Sequence, residues 1–381
     1  MDVAQRITRL LDEHDPAGDP QEWLGARYDA GLAWVWYPEG LGGLGLSRDV
    51  QAEVDRALAG TPQPTAVQGI GLGMAAPTIL AFGTDEQRKR FLRPLWTGEE
   101  IWCQLFSEPG AGSDLATLAT RAVRDGDEWI VDGQKVWTSG AHHSRWAILV
   151  TRTDPDVPKH RGLTYFVCDM HAPGVEVRPL RQITGEAEFN EVFLTGVRLA
   201  DDLRLGQVGD GWRVAQTTLM NERVAIGGAR VRRGMLEVMV EAWRERPENR
   251  THDLHQRLLA LYVESEVTRL SGARLREQLA AGQPGPEGSG MKLSFAELNQ
   301  ALSGLEQEFT RDLSYDDWSF RRSDTVDFYG REAGYRYLRA KGNSIEGGTS
   351  EILRNIVSER VLGLPSEPRI DKDVPWKDLP R

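Results

Sequence analysis

The chain has 381 residues, room for two or three domains at about 150 residues each. Apolar residues make up 40% and charged residues 27%, the composition of an ordinary soluble globular protein. The 46 Lys and Arg against 57 Asp and Glu give a net charge of -11, which argues against a nucleic-acid binder. Two cysteines, Cys103 and Cys168, exclude a disulfide framework and point to a reducing, cytoplasmic compartment. The 12 tryptophans and 40 glycines are the unusual counts, because so many flat side chains need pockets.

In chain order, the opening MDVAQRITRLLDEHD reads as an amphipathic helix with Ile7, Leu10 and Leu11 apolar, not as a signal peptide. Residues 33–37, AWVWY, suit an extended run, and Gln51 to Leu58 and Asp85 to Leu92 carry helix formers. Thr84 and Gln87 have the spacing of a capping box. The longest uncharged run, 57–84, holds Pro62, Pro64 and Pro77 and is expected to be a buried core segment, not a membrane span. From about Ile101 to Arg204 the character changes to short runs rich in Val, Ile, Trp, Tyr and Phe: 129–131, 146–150, 163–167, 175–177 and 191–194. Asp125-Gly126-Asp127, Asp132-Gly133 and Pro173-Gly174 bound several of them, the pattern of an antiparallel β unit. From Gly211 long helices return. Trp212 to Arg246 reads as one helix stopped by Pro247, and Thr251 to Ala281 as a second. A loop follows at 282–290, and a last helix runs from Ser350 to Leu362 with Gly363 and Pro365 as its stop. The tail beyond Pro365 is expected to be an extended arm. Helices, then strands, then helices is an α+β arrangement with segregated layers.

Gly40 to Gly45 nominally fits the dinucleotide pattern G-x-G-x-x-G, but no second strand follows, so a glycine-rich turn is the better reading. No metal-type Cys/His cluster is visible; His252 and His255 fall on a helix surface and His142-His143 in a loop. Three stretches carry more. Cys103-Gln-Leu-Phe-Ser-Glu-Pro-Gly-Ala-Gly-Ser-Asp-Leu115 opens a strand into a loop whose free N–H groups and hydroxyls suit an anion or a polar ring edge. A tight turn capped by Ser113 and Asp114 explains it equally well when taken alone. Val131 to Gly140 places an indole before two hydroxyls. Ser344 to Glu351 offers Gly-Gly-Thr-Ser at the start of the last helix, a place for a phosphate.

With FSEPGAGSD at 106–114, DGQKVWTSG at 132–140, GDGWRVAQTTLMNER at 209–223 and IEGGTSEILRNI at 345–356, the chain resembles the acyl-CoA dehydrogenase family. The resemblance runs from about Leu32 to Pro365. It implies a helical N-terminal domain (1–100), a central antiparallel β domain (101–205), a C-terminal four-helix bundle (206–365) and a tail (366–381), with FAD as cofactor. Carried over by position, flavin contacts fall on Gln104, Phe106, Ser107, Gly112 and Ser113, on Trp137, Thr138 and Ser139, and on Thr349 and Glu351. Trp137 is placed beside the isoalloxazine and Ser139 near its N5. Ser113, Arg223 and Gly348 are implied substrate contacts.

The family's reaction takes a proton from the carbon α to a thioester and a hydride from the β carbon to the flavin. It needs one carboxylate in an apolar site. In many members that glutamate immediately precedes the Gly-Thr-Ser of the last motif. Gly347 stands there in this chain, and Glu346 is one residue too early. The second known location lies on a bundle helix just before an arginine, which is Glu222 before Arg223. Residues 215, 218, 219, 225, 226 and 229 surround Glu222 on a helix with small or apolar side chains. A carboxylate on such a stripe is costly without a task or a partner; a salt bridge is the plain alternative.

Two family segments that reach a neighbouring subunit's flavin are absent, around Arg246 to Leu259 and between Asp316 and Arg339. The expectation is therefore an FAD-dependent acyl-CoA dehydrogenase with Glu222 as base and an electron-transfer flavoprotein as acceptor. A homo- or hetero-oligomer, dimer or tetramer, is expected. The rivals are a non-catalytic or FAD-sharing subunit of a hetero-oligomer, and a flavin oxidase or monooxygenase on the same scaffold. Gly69, Gly71 and Gly73 hint at room for a bulky or branched acyl group.

Overall fold

The computed structural model describes residues 2–228, 234–280, 286–311, 320, 331–368 and 371–379. The chain divides into two compact units. One comprises Met1–Leu180, Glu188–Thr218 and Ile370–Arg381; the other comprises Arg181–Ala187 and Leu219–Arg369.

The first unit begins with helices whose starts are written in their caps. Asp2 accepts from the Gln5 backbone N–H at 2.8 Å and opens α1 (Val3–Glu13). Asp19 caps α2 (Pro20–Asp29), with Pro20 at the first helical position, where its missing N–H costs nothing. After α3 (Gln51–Ala57) and a π-helical turn (Gly71–Ala75) comes α4 (Ala76–Phe82). The Thr84–Gln87 capping box opens α5 (Asp85–Thr97) as its spacing predicts, and Gly98, at φ 79°, ends it. Residues 33–37 are not a strand. The chain there folds back on itself: Trp34 N–H donates to Gly42 O and Leu44 N–H to Val35 O. Gly43 lies so close that an added Cβ would stand 2.1 Å from Tyr37 O. The glycines at 40–45 serve this turn, and Gly40, Gly42 and Gly45 all have positive φ.

The sheet holds β1 (Trp102–Leu105), β2 (Arg121–Asp125), β3 (Glu128–Lys135), β4 (Trp146–Arg152), β5 (Leu163–Asp169), β6 (Val175–Pro179), β7 (Asn190–Ala200) and β8 (Arg204–Leu205). Its order is β6-β7-β3-β2-β4-β5-β8, with β1 beside β4. The pairing is not wholly antiparallel as expected: β1 runs parallel to β4, and β2 meets β4 in parallel at Arg121 and Arg152. The long path from Leu105 to Trp146, through β2, β3 and two single 3-10 turns, brings the chain back to the same end of the sheet, which permits this. One face buries Cys103, Leu105, Trp129, Val131, Leu149, Phe166 and Leu194 in a single core. Both cysteines are free and buried.

The tail is not an extended arm. Trp376 donates from its backbone to Val157 O at 2.9 Å and from its indole to Thr117 O at 3.0 Å. The Arg152 guanidinium lies 4.7 Å from the Trp376 ring centre. An indole with its N–H satisfied and a cation on its face gives so polar a segment a fixed seat.

The stretch read as one helix from Trp212 to Arg246 is two. The first is α6 (Gly211–Gly228), and Gly234, in extended backbone, starts α7 (Met235–Glu245). In the second unit α7, α8 (His252–Ala280), α9 (Gly288–Thr310), α10 (Ala333–Ala340) and α11 (Ser350–Ile356) follow, the last continuing as a π turn to Val361. The loop expected at 282–290 lies outside the described residues up to 285, and α9 already begins at Gly288. Met235, Val238 and Met239 of α7, Leu254 and Leu258 of α8, and Leu302, Leu305 and Phe309 of α9 form the bundle core. Among the described residues no helix is long and apolar enough to cross a membrane.

Candidate active site

In the first unit the structure brings two of the singled-out stretches together. Val136 N–H donates to Ser107 O at 2.9 Å. The Lys135 ammonium, 0% exposed, donates to Phe106 O and to Glu108, each at 2.9 Å. The Glu108 carboxylate also accepts from Ala119 N–H at 2.6 Å and Thr120 N–H at 2.9 Å. Burial by itself would push the Glu108 carboxyl up. The adjacent ammonium and these bonds outweigh it and hold the group below the usual carboxylate range. A charged staple thus fastens the 106–114 loop to the strand that leads to Trp137.

Trp137 is the anomaly of this region. It is a non-glycine residue at φ 61° and is 60% exposed, with its ring 5.9 Å from that of Phe189 in an edge-on arrangement. A left-handed backbone costs such a residue on the order of 1 kcal/mol. The strain is held by Thr138, whose N–H donates to Asn190 O at 3.0 Å and whose carbonyl accepts from the Asn190 amide at 2.9 Å. An aromatic face is therefore displayed to solvent by a backbone that would not otherwise choose it. Thr138 Oγ1, buried, has no hydrogen-bond partner among the described residues. Gly110 and Gly112 would each meet nothing within 4 Å if given a Cβ, so protein packing does not account for their lack of side chains. Gln104 lies half-buried at the end of β1, Phe106 is buried, Ser107 and Ser139 are half-buried, and Ser113 is exposed.

In the second unit Glu222 is half-buried on α6 and engages other polar groups. The Arg223 side chain lies outside the described residues, as do the side chains at 225, 226 and 229. The loop before α11 turns on two glycines, Gly347 at φ 63° and Gly348 at φ 101°. Glu346 accepts from Arg339 at 2.8 Å and from Asn343 at 2.6 Å, so its carboxylate is committed. Thr349 uses its hydroxyl to cap α11, accepting from Ile352 N–H at 3.2 Å; Glu351 is exposed in the first turn. Of the segment between 316 and 339, only residue 320 and residues 331–339 are described.

Sequence reasoning missed Lys292. Its ammonium, with the residue 2% exposed, donates to Asn343 O and Gly348 O at 2.7 Å each. Burial pushes it below the usual ammonium range against the pull of the Glu346 and Glu222 carboxylates. It belongs to a buried stripe of α9 at Ser289, Lys292, Ala296, Asn299, Ser303, Glu306 and Thr310. These recur every three or four residues, a period that would have revealed the stripe had polar residues been sought on it.

Family models for the acyl-CoA dehydrogenase N-terminal, middle and C-terminal domains match residues 3–99, 103–197 and 209–362. The chain belongs to the acyl-CoA dehydrogenase family. The acyl-CoA dehydrogenase FadE34 of Mycobacterium tuberculosis is 42% identical over 88% of the chain, which spans only 45% of that protein's length. The acyl-CoA dehydrogenase IpdE1 of the same organism is 37% identical over 93% of this chain and 90% of its own. Among solved structures, a steroid acyl-CoA dehydrogenase described as Tcur3481-Tcur3483 matches 96% of this chain and 97% of its own, at 25% identity and a TM-score of 0.73. The ChsE4-ChsE5 complex from Mycobacterium tuberculosis matches 96% and 95% at 26% identity, TM-score 0.71. The fold is that of the acyl-CoA dehydrogenases, a family of oxidoreductases acting on CH–CH bonds with FAD as cofactor. The buried Thr138 hydroxyl, partnerless among the described residues, the open space over Gly110 and Gly112 and the displayed Trp137 fit a flat, hydrogen-bonding ring system.

Proposed function

We propose that this chain α,β-dehydrogenates an acyl-CoA thioester, with Glu222 as the base that takes the α proton. The observation that carries the assignment is the state of the alternatives. Gly347, at the position where many relatives keep their glutamate, has a backbone suited to glycine, and Glu346 is tied to Arg339 and Asn343. Gln104 to Ser113 and Trp137 to Ser139 would hold the isoalloxazine, with Thr349 and Glu351 as further contacts; Ser113, Arg223 and Gly348 would touch the thioester. FAD, when bound, accepts the hydride from the β carbon. The chain's own work is to orient the thioester and to hold the α proton on a Glu222 carboxylate oxygen. Glu222→Gln should purify with its yellow flavin yet show no bleaching on adding acyl-CoA; a fully active variant sinks the assignment.

An electron-transfer flavoprotein is the proposed acceptor and the cytoplasm the proposed compartment, in keeping with free Cys103 and Cys168. The proposed substrate is a bulky, ring-bearing acyl-CoA. Support comes from one structural neighbour, a steroid acyl-CoA dehydrogenase, and from Gly69, where an added Cβ would meet nothing within 4 Å. Gly71 gives no such support, since a Cβ there would press on Leu95 at 3.2 Å. Turnover confined to short straight chains would refute this choice.

We also infer an oligomer that includes a second acyl-CoA dehydrogenase-like chain. Leu259, Tyr262, Val263, Val267 and Leu270 leave one side of α8 apolar and exposed, and two structural neighbours are described as two-component assemblies. Flavin colour in the protein purified alone, compared with colour on mixing with candidate partners, separates a complete site from a shared one.

A further inference from the structure

We propose that residues 371–379 are part of the cofactor site: through Lys159 and Trp376 they fix the far end of the 106–114 loop and hold Gly112 and Ser113 in place for FAD. This rests on the reading of Gln104 to Ser113 as flavin contacts. The near end of the loop is secured from the sheet by Lys135 and Glu108, and Ala111 is tied to Glu108 by two backbone bonds of 3.0 Å. Gly112, Ser113 and Asp114 beyond it are exposed. Asp114 is where the loop is caught again. Its carboxylate accepts from the Lys159 ammonium at 2.6 Å, and its carbonyl accepts from the Thr117 N–H at 3.0 Å and the Thr117 hydroxyl at 2.6 Å.

Both of these holds lead on into 371–379. Lys159, 6% exposed, also donates to Asp371, and the Thr117 carbonyl accepts from the Trp376 indole at 3.0 Å. The segment is seated on 155–158: Trp376 N–H donates to Val157 O at 2.9 Å and Lys377 N–H to Pro155 O at 3.1 Å. Against the Trp376 ring, Arg152 donates to Ala116 O at 2.5 Å and to Lys159 O at 2.7 Å, so the cation that the indole covers also joins the two loops. A cover over the sheet edge would need only apolar contact. A nearly buried ammonium shared between a carboxylate of the loop and one of the tail is a link, and it is kept at the cost of burying a charge. FAD binds the ordered loop, so its apparent affinity falls in proportion to the fraction of time that the loop is ordered.

Hydrogen exchange read by mass spectrometry, together with FAD titration of the flavin-stripped protein, tests this. In the chain ended after Pro368, amides of 111–118 should exchange about tenfold faster than in the full chain, and the apparent Kd for FAD should rise about tenfold. Amides of β5 (Leu163–Asp169) should not change. Lys159→Met in the full chain should reproduce the loss, and Lys159→Arg, which keeps both ion pairs, should not. Loosened packing in general would speed exchange in β5 as well and would not discriminate between these two variants. Exchange at 111–118 unchanged, a rise shared by β5, an unmoved Kd, or Lys159→Arg as loose as Lys159→Met overturns the proposal. If the shortened chain does not fold, Trp376→Ala in the full chain decides by the same measurements. FAD that gives the full chain no protection at 104–113 would instead defeat the reading of that loop as the flavin site, whatever the tail does.

Discussion

Lys135→Met removes one ammonium and keeps its aliphatic stem. Phe106 O loses its 2.9 Å donor, and Glu108 is left 9% exposed with the Ala119 and Thr120 N–H groups and the charge of Arg152 against its own. Breaking a buried pair from one side costs about 3–5 kcal/mol, because the remaining charge cannot return to water. At roughly 2–4 °C per kcal/mol for a unit of this size, melting should fall by about 6–20 °C. The pH dependence has a definite sign. In the wild type the folded pKa of Glu108 is depressed, so its stabilisation is present above the ordinary carboxylate pKa and is lost as pH falls through the folded value. In the variant burial is less opposed and the folded pKa rises toward the unfolded value, so the variant loses less stability on acidification than the wild type. The gap between the two melting curves should therefore narrow below about pH 5. Glu108→Gln on top of Lys135→Met should recover part of the loss, since an amide can be buried without a counter-charge. Circular dichroism gives the melting points, and the ratio of flavin to protein absorbance should fall with them as the 106–114 loop loosens. A Lys135→Met protein within about 1 kcal/mol of wild type at pH 7.5, or a gap that does not change with pH, refutes the staple.

Trp137→Gly should leave the flavin-free protein within about 1 kcal/mol of wild type, since relief of the left-handed strain offsets the entropy of a new glycine, while flavin is lost more readily. A large loss of stability in the flavin-free form would mean that the indole packs a core. Asp201 is held at about 2 by Arg204 and the Trp129 indole. Its contribution is present above about pH 4 and disappears between about pH 4 and 2. Asp201→Asn should abolish that part of the acid unfolding curve, which titration of stability by urea at several pH values will read. Val263→Glu with Val267→Glu should lower the oligomeric mass seen by light scattering and leave the melting point nearly unchanged. An unchanged mass excludes this side of α8 from any interface.

What could be read from the residues, and what could not, follows from the physics of each signal. The capping box at Thr84, the strands at 129–131, 146–150 and 163–167 and the helix at 252–280 rest on local chemistry, and each is in place. The break at Gly234 was not legible, since Gly227, Gly228 and Gly234 are the only hints and helices tolerate isolated glycines. The run at 33–37 looked extended because aromatic and β-branched residues favour strands. Gly43, packed where an added Cβ would stand 2.1 Å from Tyr37 O, lets the chain fold back and overrides that preference. The tail looked free because it is polar, and it was Trp376, a single residue 259 positions from its acceptor, that docked it. The candidate site divides in the same way. Trp137 and the two glycines of the 106–114 loop stand in recognisable patterns, whereas Lys292 sits in a helix that reads as amphipathic with its polar side outward. In the fold that polar stripe faces inward and carries Asn299 and Glu306 as well, with Glu306 held by Arg336 at 2.9 Å. A helix that gives one buried side to Ser, Lys, Asn and Glu, beside the Leu302, Leu305 and Phe309 that join the bundle core, forgoes apolar burial along that side. Such a side is retained where polar groups have something to hold, and here it holds α10 and the turn at Gly347–Gly348.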